Sequence, residues 1–434
     1  MTRYAVMMVI GLGACVRNAS VRPPEGPVPP LPVMSSDEFI DLHAMMRVAD
    51  LDDRRSNHTE YWRAVTPYLG RSVTESLAGL SAEGREIRHL TFGSGSTTVL
   101  LWSQMHGNES TASMALADII RFFDERPDHA LAQRIAAGAT VHMIPMLNPD
   151  GAERFQRRNA QGIDVNRDAR LLQTPEGQIL KAVRDRLEPD FGFNLHDQAA
   201  AVRVGQTNRG VAIALLAPAF NAEREVDDKR RRAMQVASLL VEAMAPHVEG
   251  HIAKYNDAFN PRAFGDLMGA WGASTVLIES GAWPADPQKQ YLRRVNFVGI
   301  LSALDGIATG RYTLYDPSVY ENLAYNGRRV PDLLIVGGTI AVPGLPTLQS
   351  DVLVNYDRPL LREGGVIVDI GDMGETEAQD TMDVSGLYLV PMADVLDAQG
   401  GLDIGGPAFF LLTEDPAGLR VSFRFEGGPP KPED

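Results

Sequence analysis

From about residue 35 to residue 310, short apolar runs alternate with amphipathic helical stretches, and this alternation constrains the chain more than any other feature. Strand, helix and strand in repeated succession is the pattern of an α/β fold, in which helices cover a central sheet. The runs at 98–102, 140–146, 191–195 and 275–278 read as strands. Helices are expected over 110–123, over 176–187 with Thr174 as cap and Pro175 in the first turn, over 222–245, and from near Asp286-Pro287 to about 308. Beyond Gly310 the character changes. The runs at 332–336, 352–354, 366–370, 387–390, 409–412 and 421–425 are short, rich in β-formers and separated by Gly, Pro or Asp. They predict an all-β accessory domain over 311–434, following a main domain over 35–310.

Charge and cysteine content narrow the partners. With 41 Lys and Arg against 56 Asp and Glu the net charge is −15, so nucleic acid is not an expected partner. A single cysteine excludes a disulfide framework within the chain and a thiolate zinc site, so any metal must sit on histidine and carboxylate. No apolar run reaches the roughly 18–20 residues that span a bilayer. At the N-terminus, Arg3 precedes an apolar stretch, and Leu12-Gly13-Ala14-Cys15 resembles the lipobox of bacterial lipoproteins. That resemblance implies a signal over 1–14, a lipid on Cys15 as the one link to a membrane, and an exported protein of the cell envelope, held on the outer membrane and facing the periplasm. Six prolines within 21–32 then give an extended tether over 15–34.

Four polar residues fall just after apolar runs: His106, Asn148, His196 and Glu279. Ligands of open α/β sheets bind outside the carboxyl ends of the strands, so these side chains are expected to converge. His106-Gly-Asn-Glu109 sets an imidazole and a carboxylate three residues apart across a turn, within reach of one cation. Two histidines and one glutamate form an established catalytic zinc set with one open position, and His196 is the natural third ligand.

His106-Gly-Asn-Glu109, Asn148-Pro-Asp-Gly151, Arg157-Arg158-Asn159, Gly162-Ile-Asp164-Val-Asn166-Arg167, His196 and Glu279-Ser-Gly281 occur in that order. Their succession resembles the zinc carboxypeptidase family typified by the pancreatic carboxypeptidases. Gly79-Leu-Ser-Ala-Glu-Gly-Arg85 is similar to the family's segment before its first metal-bearing strand. The resemblance covers roughly residues 72–310 and implies a mixed central sheet with helices on both faces. It implies one Zn²⁺ on His106, Glu109 and His196, acting as a Lewis acid on the scissile carbonyl and on an attacking water. By the same resemblance Glu279 is the general base and Arg157 stabilises the oxyanion. Asn166 and Arg167 hold the terminal carboxylate of a peptide with a free C-terminus, Tyr255 caps the substrate, and Asp164 orients a zinc-bound histidine through its other nitrogen.

Some positions depart from the family pattern. Asp197 and Gln198 follow His196 where small hydroxyl and aromatic residues are usual; Asp197 is expected to cap the next turn, selection of a cationic group being the other reading. Gly265 stands near the base of the side-chain pocket and leaves the preferred terminal residue open, and Arg262 beside it reads as a surface charge. The remaining histidines, among them His89 and His142, have no partner at ligand spacing, and His142 is expected in the core. The leading expectation is a metallocarboxypeptidase. The alternatives are a cell-wall peptide amidase or carboxypeptidase, an aspartoacylase-like deacylase, and a non-enzymatic binding lipoprotein that has lost turnover.

Overall fold

Eight strands build the sheet that the alternating pattern predicts. In chain order the strands of this part are β1 (Thr74–Leu80), β2 (Glu86–Phe92), β3 (Thr97–Ser103), β4 (Ala139–Ile144), β5 (Phe191–Asp197), β6 (Val202–Val204), β7 (Ile213–Leu216), β8 (Ile252–Lys254) and β9 (Ser274–Ser280). All but β6 join in the spatial order β1-β2-β4-β3-β5-β9-β7-β8. β3 runs parallel to β4 and β5, and β5 parallel to β9, whereas β1–β2, β2–β4 and β7–β9 are antiparallel, so the sheet is mixed. The computed structural model describes residues 34–392, 395–397 and 400–432. The segment 1–14 expected as a signal, Cys15 and the proline run at 21–32 lie outside the described residues.

Every residue of β5 and β9 is buried, as expected of strands covered on both faces. On one face Leu100 and Trp102 of β3 pack with Leu180 and Val183 of the helix Pro175–Leu187 and with Phe264 and Met268 of the helix Phe264–Ala270. Helices Thr111–Glu125 and Gln290–Ala308 contact β5 and β4 and pack on each other. A buried ion pair joins them: Arg293, 0% exposed, donates to both oxygens of Asp118 at 2.7 and 2.5 Å. Arg293 also donates to the carbonyls of Val48 and Leu51, and His43 meets the same carboxylate at 3.2 Å. Buried charges persist only when paired and hydrogen-bonded in this way.

Two helices start later than their sequence patterns predict, each for a local reason. The stretch 222–245 becomes Asp228–Val248, because the Asp227 side chain accepts the Arg230 N–H and sets the start there. The last long helix begins at Gln290, because Lys289 has a left-handed backbone with φ 53°. β1 escapes sequence reading altogether: its burial pattern is mostly exposed, so Thr-Glu-Ser-Leu-Ala-Gly-Leu shows no clear apolar alternation.

The C-terminal part is β-rich. Its strands are β10 (Asn326–Arg329), β11 (Leu333–Val336), β12 (Thr339–Ile340), β13 (Leu348–Gln349), β14 (Asp351–Arg358), β15 (Glu363–Gly371), β16 (Asp380–Asp383), β17 (Tyr388–Pro391), β18 (Phe409–Thr413), β19 (Val421–Glu426) and β20 (Lys431–Pro432). One sheet has the order β15-β14-β11-β16 and another β13-β12-β17-β18-β19-β20. Alternate residues of both sheets, including Leu333, Ile335, Val352, Val354, Leu389, Phe410 and Phe425, share one apolar core, the period-two signature of packed sheets. β10 leaves these sheets and pairs antiparallel with β6. From Ser36 onward the chain forms one compact unit. Among the described residues no helix is long and apolar enough to cross a membrane.

Candidate metal centre and active site

β3, β5 and β9 are neighbours at the middle of the sheet, and the candidate residues gather at their C-terminal ends. His196 on β5 lies opposite Glu279 on β9 in the parallel register. After β3 ends at Ser103, a turn carries His106 and Glu109 to the same edge before the helix Thr111–Glu125 begins. This is the crevice position of an open α/β sheet.

The second motif supports that turn. Asn148 Nδ2 donates to the Met105 carbonyl at 3.2 Å, and its Oδ1 accepts the Gly151 N–H at 2.8 Å. Asn148 therefore does not converge with the other three polar residues as expected: its amide is spent on capping its own turn and holding the loop beneath His106. Gly107 and Gly151 meet backbone to backbone, since a Cβ on Gly107 would lie 1.9 Å from the Gly151 carbonyl carbon. Glycine is required for so close an approach. Buried Asp150 accepts from Arg85 at 2.7 Å, Ser81 at 2.8 Å and the Glu83 N–H at 3.0 Å, which ties the 79–85 segment to the same loop.

Three donor atoms converge above this support. Glu109 Oε2 lies 2.9 Å from His106 Nδ1 and 2.7 Å from His196 Nδ1, and the two Nδ1 atoms are 3.2 Å apart. Tetrahedral zinc with nitrogen and oxygen ligands at about 2.0–2.1 Å sets neighbouring donors about 3.3 Å apart, so this triangle fits the ion closely. Among the described residues it is the one group of three or more His, Cys, Asp or Glu side chains that could hold a metal. Asp164 Oδ1 lies 2.9 Å from His106 Nε2, which places the proton on Nε2 and leaves the Nδ1 lone pair facing the triangle. Burial alone would raise the Glu109 carboxyl, but the charges of His106 and His196 hold it well below the usual carboxylate range. Asp164 is likewise lowered against its burial, by its bond to His106 and the charges of His106, Arg157 and Arg167.

Glu279 is buried, 8% exposed. Burial, then the charges of Glu109 and Asp197, push its carboxyl well above the ordinary range. Arg157 reaches the same cavity with its guanidinium committed: it donates to Glu109 Oε1 at 3.0 Å and to Asp164 Oδ2 at 3.1 Å. Its neighbour Arg158 instead bonds the Gly162 carbonyl. Asn166 Oδ1 accepts the Phe264 N–H at 2.9 Å, so Nδ2 is left as a donor, 3.4 Å from His196 Nε2. Arg167 donates to the Asn166 carbonyl at 2.7 Å, and both residues line the cavity. Tyr255 also lines it, and burial, followed by the charges of Glu279 and Glu109, raises its hydroxyl pKa.

Sequence reasoning missed several residues here. Asp197 does not cap the next turn: its Oδ2 accepts from Thr111 at 2.8 Å and pairs with Lys289 at 3.1 Å and Arg54 at 3.4 Å. Lys289, 1% exposed, also donates to the Ser280 carbonyl. Nothing in a lone lysine at a helix start signals that pairing. Asn194 was legible, because a polar residue two before His196 lies on the same strand face; its Oδ1 is buried with no hydrogen-bond partner. Asp266, beside Gly265, lines the cavity, and burial pushes its pKa up to about 6. Arg262 is exposed. Away from the site, His89 Nε2 lies 3.0 Å from His142 Nδ1 with the rings stacked, a cross-strand pair between β2 and β4.

Residues 59–207 match the family model described as zinc carboxypeptidase. A curated relative, carboxypeptidase 2 of Trichophyton rubrum, is 24% identical over 135 residues, covering 29% of this chain and 25% of that protein. The probable carboxypeptidase 2 of Arthroderma benhamiae matches equally, again at 24% over 135 residues, with 29% of this chain and 25% of that protein covered. The chain thus spans about a quarter of the length of the curated relatives it matches. Among solved structures, a metallo-carboxypeptidase from Pseudomonas aeruginosa superposes with TM-score 0.48 at 18% identity, covering 59% of this chain and 70% of that one. Carboxypeptidase A from Helicoverpa armigera gives 0.47 at 14%, covering 64% and 82%. The family match contains His106, Glu109, Asp164, Asn166, Arg167 and His196, while Glu279 and Tyr255 lie beyond it and join the site through the fold. Residues 59–207, which carry the three converging donors, are thus the part of the chain that is similar to zinc carboxypeptidases.

Proposed function

We propose that the chain is a zinc-dependent metallocarboxypeptidase that hydrolyses the C-terminal amide bond of peptides. One observation carries the reading: His106 Nδ1, Glu109 Oε2 and His196 Nδ1 lie within 3.2 Å of one another, and His106 and Glu109 line a cavity shared with Glu279 and Arg167. Zinc held by these three atoms would supply Lewis acidity at the scissile carbonyl. Asp164 keeps the His106 ring turned for that task. Glu279 takes the proton of the attacking water and passes it to the leaving amine. Its buried carboxylate, in the cavity lined by His106 and Glu109, is placed for this. Arg157, fixed by Glu109 and Asp164, presents positive charge where the carbonyl oxygen becomes negative. The fork of Arg167 and the Asn166 amide N–H grip the terminal carboxylate and so select the last peptide bond. The Tyr255 hydroxyl, kept protonated, donates to the bound substrate.

Envelope location, on the strength of the Leu12–Cys15 motif, makes cell-wall peptides one source of such substrates. The test uses the zinc-loaded full chain with peptides that differ only in a free or an amidated C-terminus. Cleavage of the free form alone is expected. Cleavage of both forms would make the protein an amidase or endopeptidase and remove the roles given to Asn166 and Arg167.

A further inference from the structure

The cavity around the three donor atoms is not bounded by the α/β region alone. Its wall continues through residues 329–332 and 355–361 of the β-rich region. This wall is tied to the strand that carries His196 by a short series of bonds. Asn326 Nδ2 donates to Gln198 Oε1 at 2.7 Å, and Arg329 of β10 stands opposite Val202 of β6. The Val330 N–H donates to the Ala201 carbonyl at 3.2 Å. Asp332 then accepts the Tyr356 N–H at 2.8 Å and donates its own N–H to Asn355 Oδ1 at 3.1 Å. The β14–β15 hairpin is thereby held in a fixed place relative to the metal centre.

The hairpin tip has an unusual composition for such a position. Hairpin turns favour Asn, Asp and Gly, yet this one reads Pro359-Leu360-Leu361, and Leu361 is 38% exposed. All three residues line the cavity, as do Pro331 and the alanines at 199–201. The cavity is therefore polar around the donor atoms, and on the β-rich side it meets an apolar hairpin tip, Pro359 to Leu361, that follows the polar stretch Asn355 to Arg358. Its volume of about 1040 Å³ stands at the top of the roughly 300–1,000 Å³ range for small-ligand sites, which leaves room for more than one terminal residue.

We propose that the tip of the β14–β15 hairpin is part of the substrate site and selects peptides with apolar side chains on the amino side of the scissile bond. The proposal rests on the carboxypeptidase reading: with the terminal carboxylate on Arg167 and the scissile bond at the donor triangle, the amino side is the part of a peptide left to reach the lip.

The test measures kcat and KM of the zinc-loaded full chain on three substrates with one common terminal residue. These are an N-acetyl dipeptide, a pentapeptide with apolar upstream residues and a pentapeptide with Asp and Ser upstream. The chain should prefer the apolar over the polar pentapeptide by about tenfold in kcat/KM, the scale on which small apolar contacts discriminate. In Leu360→Ser/Leu361→Ser that preference should fall at least about fivefold, through KM. Leu361→Glu, a single change at an exposed position, should move it the same way. No preference in the parent chain, or a preference unchanged within about twofold in both variants, overturns the hairpin's role while leaving the carboxypeptidase reading intact. Failure to cleave any of the three free-carboxylate substrates overturns both.

Discussion

The α/β region and the β-rich region both enclose an apolar core but differ in the polar groups they bury. Among the described residues, the buried polar and charged side chains beyond residue 310 are Asp332 and Thr413; the many others, including His106, Glu109, His196, Asp197, Glu279, Lys289 and Arg293, all lie before it. The core of the sandwich is apolar, centred on Phe410, Leu389 and Val354. The mixed sheet accepts the cost of burying charge, and at the ends of β3, β5 and β9 that charge surrounds a space of cation size. Buried charge marks the candidate site. Its one foothold in the β region, Asp332, fixes the hairpin that reaches the same cavity.

Substitutions of charge and of packing should therefore separate. His196→Ala should release zinc and reduce hydrolysis to background; retention of one zinc per chain, measured by mass spectrometry, would break the comparison at its root. Glu279→Gln should keep the zinc yet lose at least about a hundredfold in kcat, the scale of a general base. Near-normal turnover in that variant would remove the assignment. Arg293→Ala leaves Asp118 charged and buried, and should cost about 3–5 kcal/mol in denaturant unfolding. Phe410→Ala removes a ring from the sandwich core and should cost a similar amount, about 3–5 kcal/mol, while the zinc stoichiometry stays at one below the melting temperature.

The smallest effect concerns pH. Burial holds His89 and His142 down at about 4 in the folded protein, with His142 and then Arg186 adding to it for His89 and Arg186 for His142, against 6.5 for a free histidine. The unfolded chain therefore binds more protons between these values. Stability from this pair is whole above about pH 6.5 and is lost as pH falls toward 4. Melting curves across that window should show the loss, and it should shrink in His89→Asn/His142→Asn; an unchanged slope would show that the pair titrates normally.

Much of this was legible in the chain, and the illegible parts have identifiable causes. The spacing of His106 and Glu109 and the strand-borne His196 and Glu279 announce a site because polar residues at the ends of fully apolar strands have little other reason to be there. Asn148 looks identical in that pattern, yet it caps its own turn, because capping and ligand binding draw on the same residue types. Asp197 could not be paired with Lys289 from sequence, since 92 residues' worth of intervening chain must fold before a buried lysine is there to meet it. The stacking of His89 on His142 depends in the same way on the antiparallel register of β2 and β4. The six β runs beyond Gly310 were readable, but the return of β14–β15 to the metal cavity was not, because it depends on the pairing of β10 with β6 rather than on any local pattern.

The central claim is a single divalent ion held by residues from β5 and from the turn between β3 and its helix. An anomalous difference map at the zinc absorption edge, from crystals grown with zinc, tests it directly. One strong peak bounded by His106 Nδ1, Glu109 and His196 Nδ1 is predicted. A map empty at that point, or a peak on other ligands, would contradict the account.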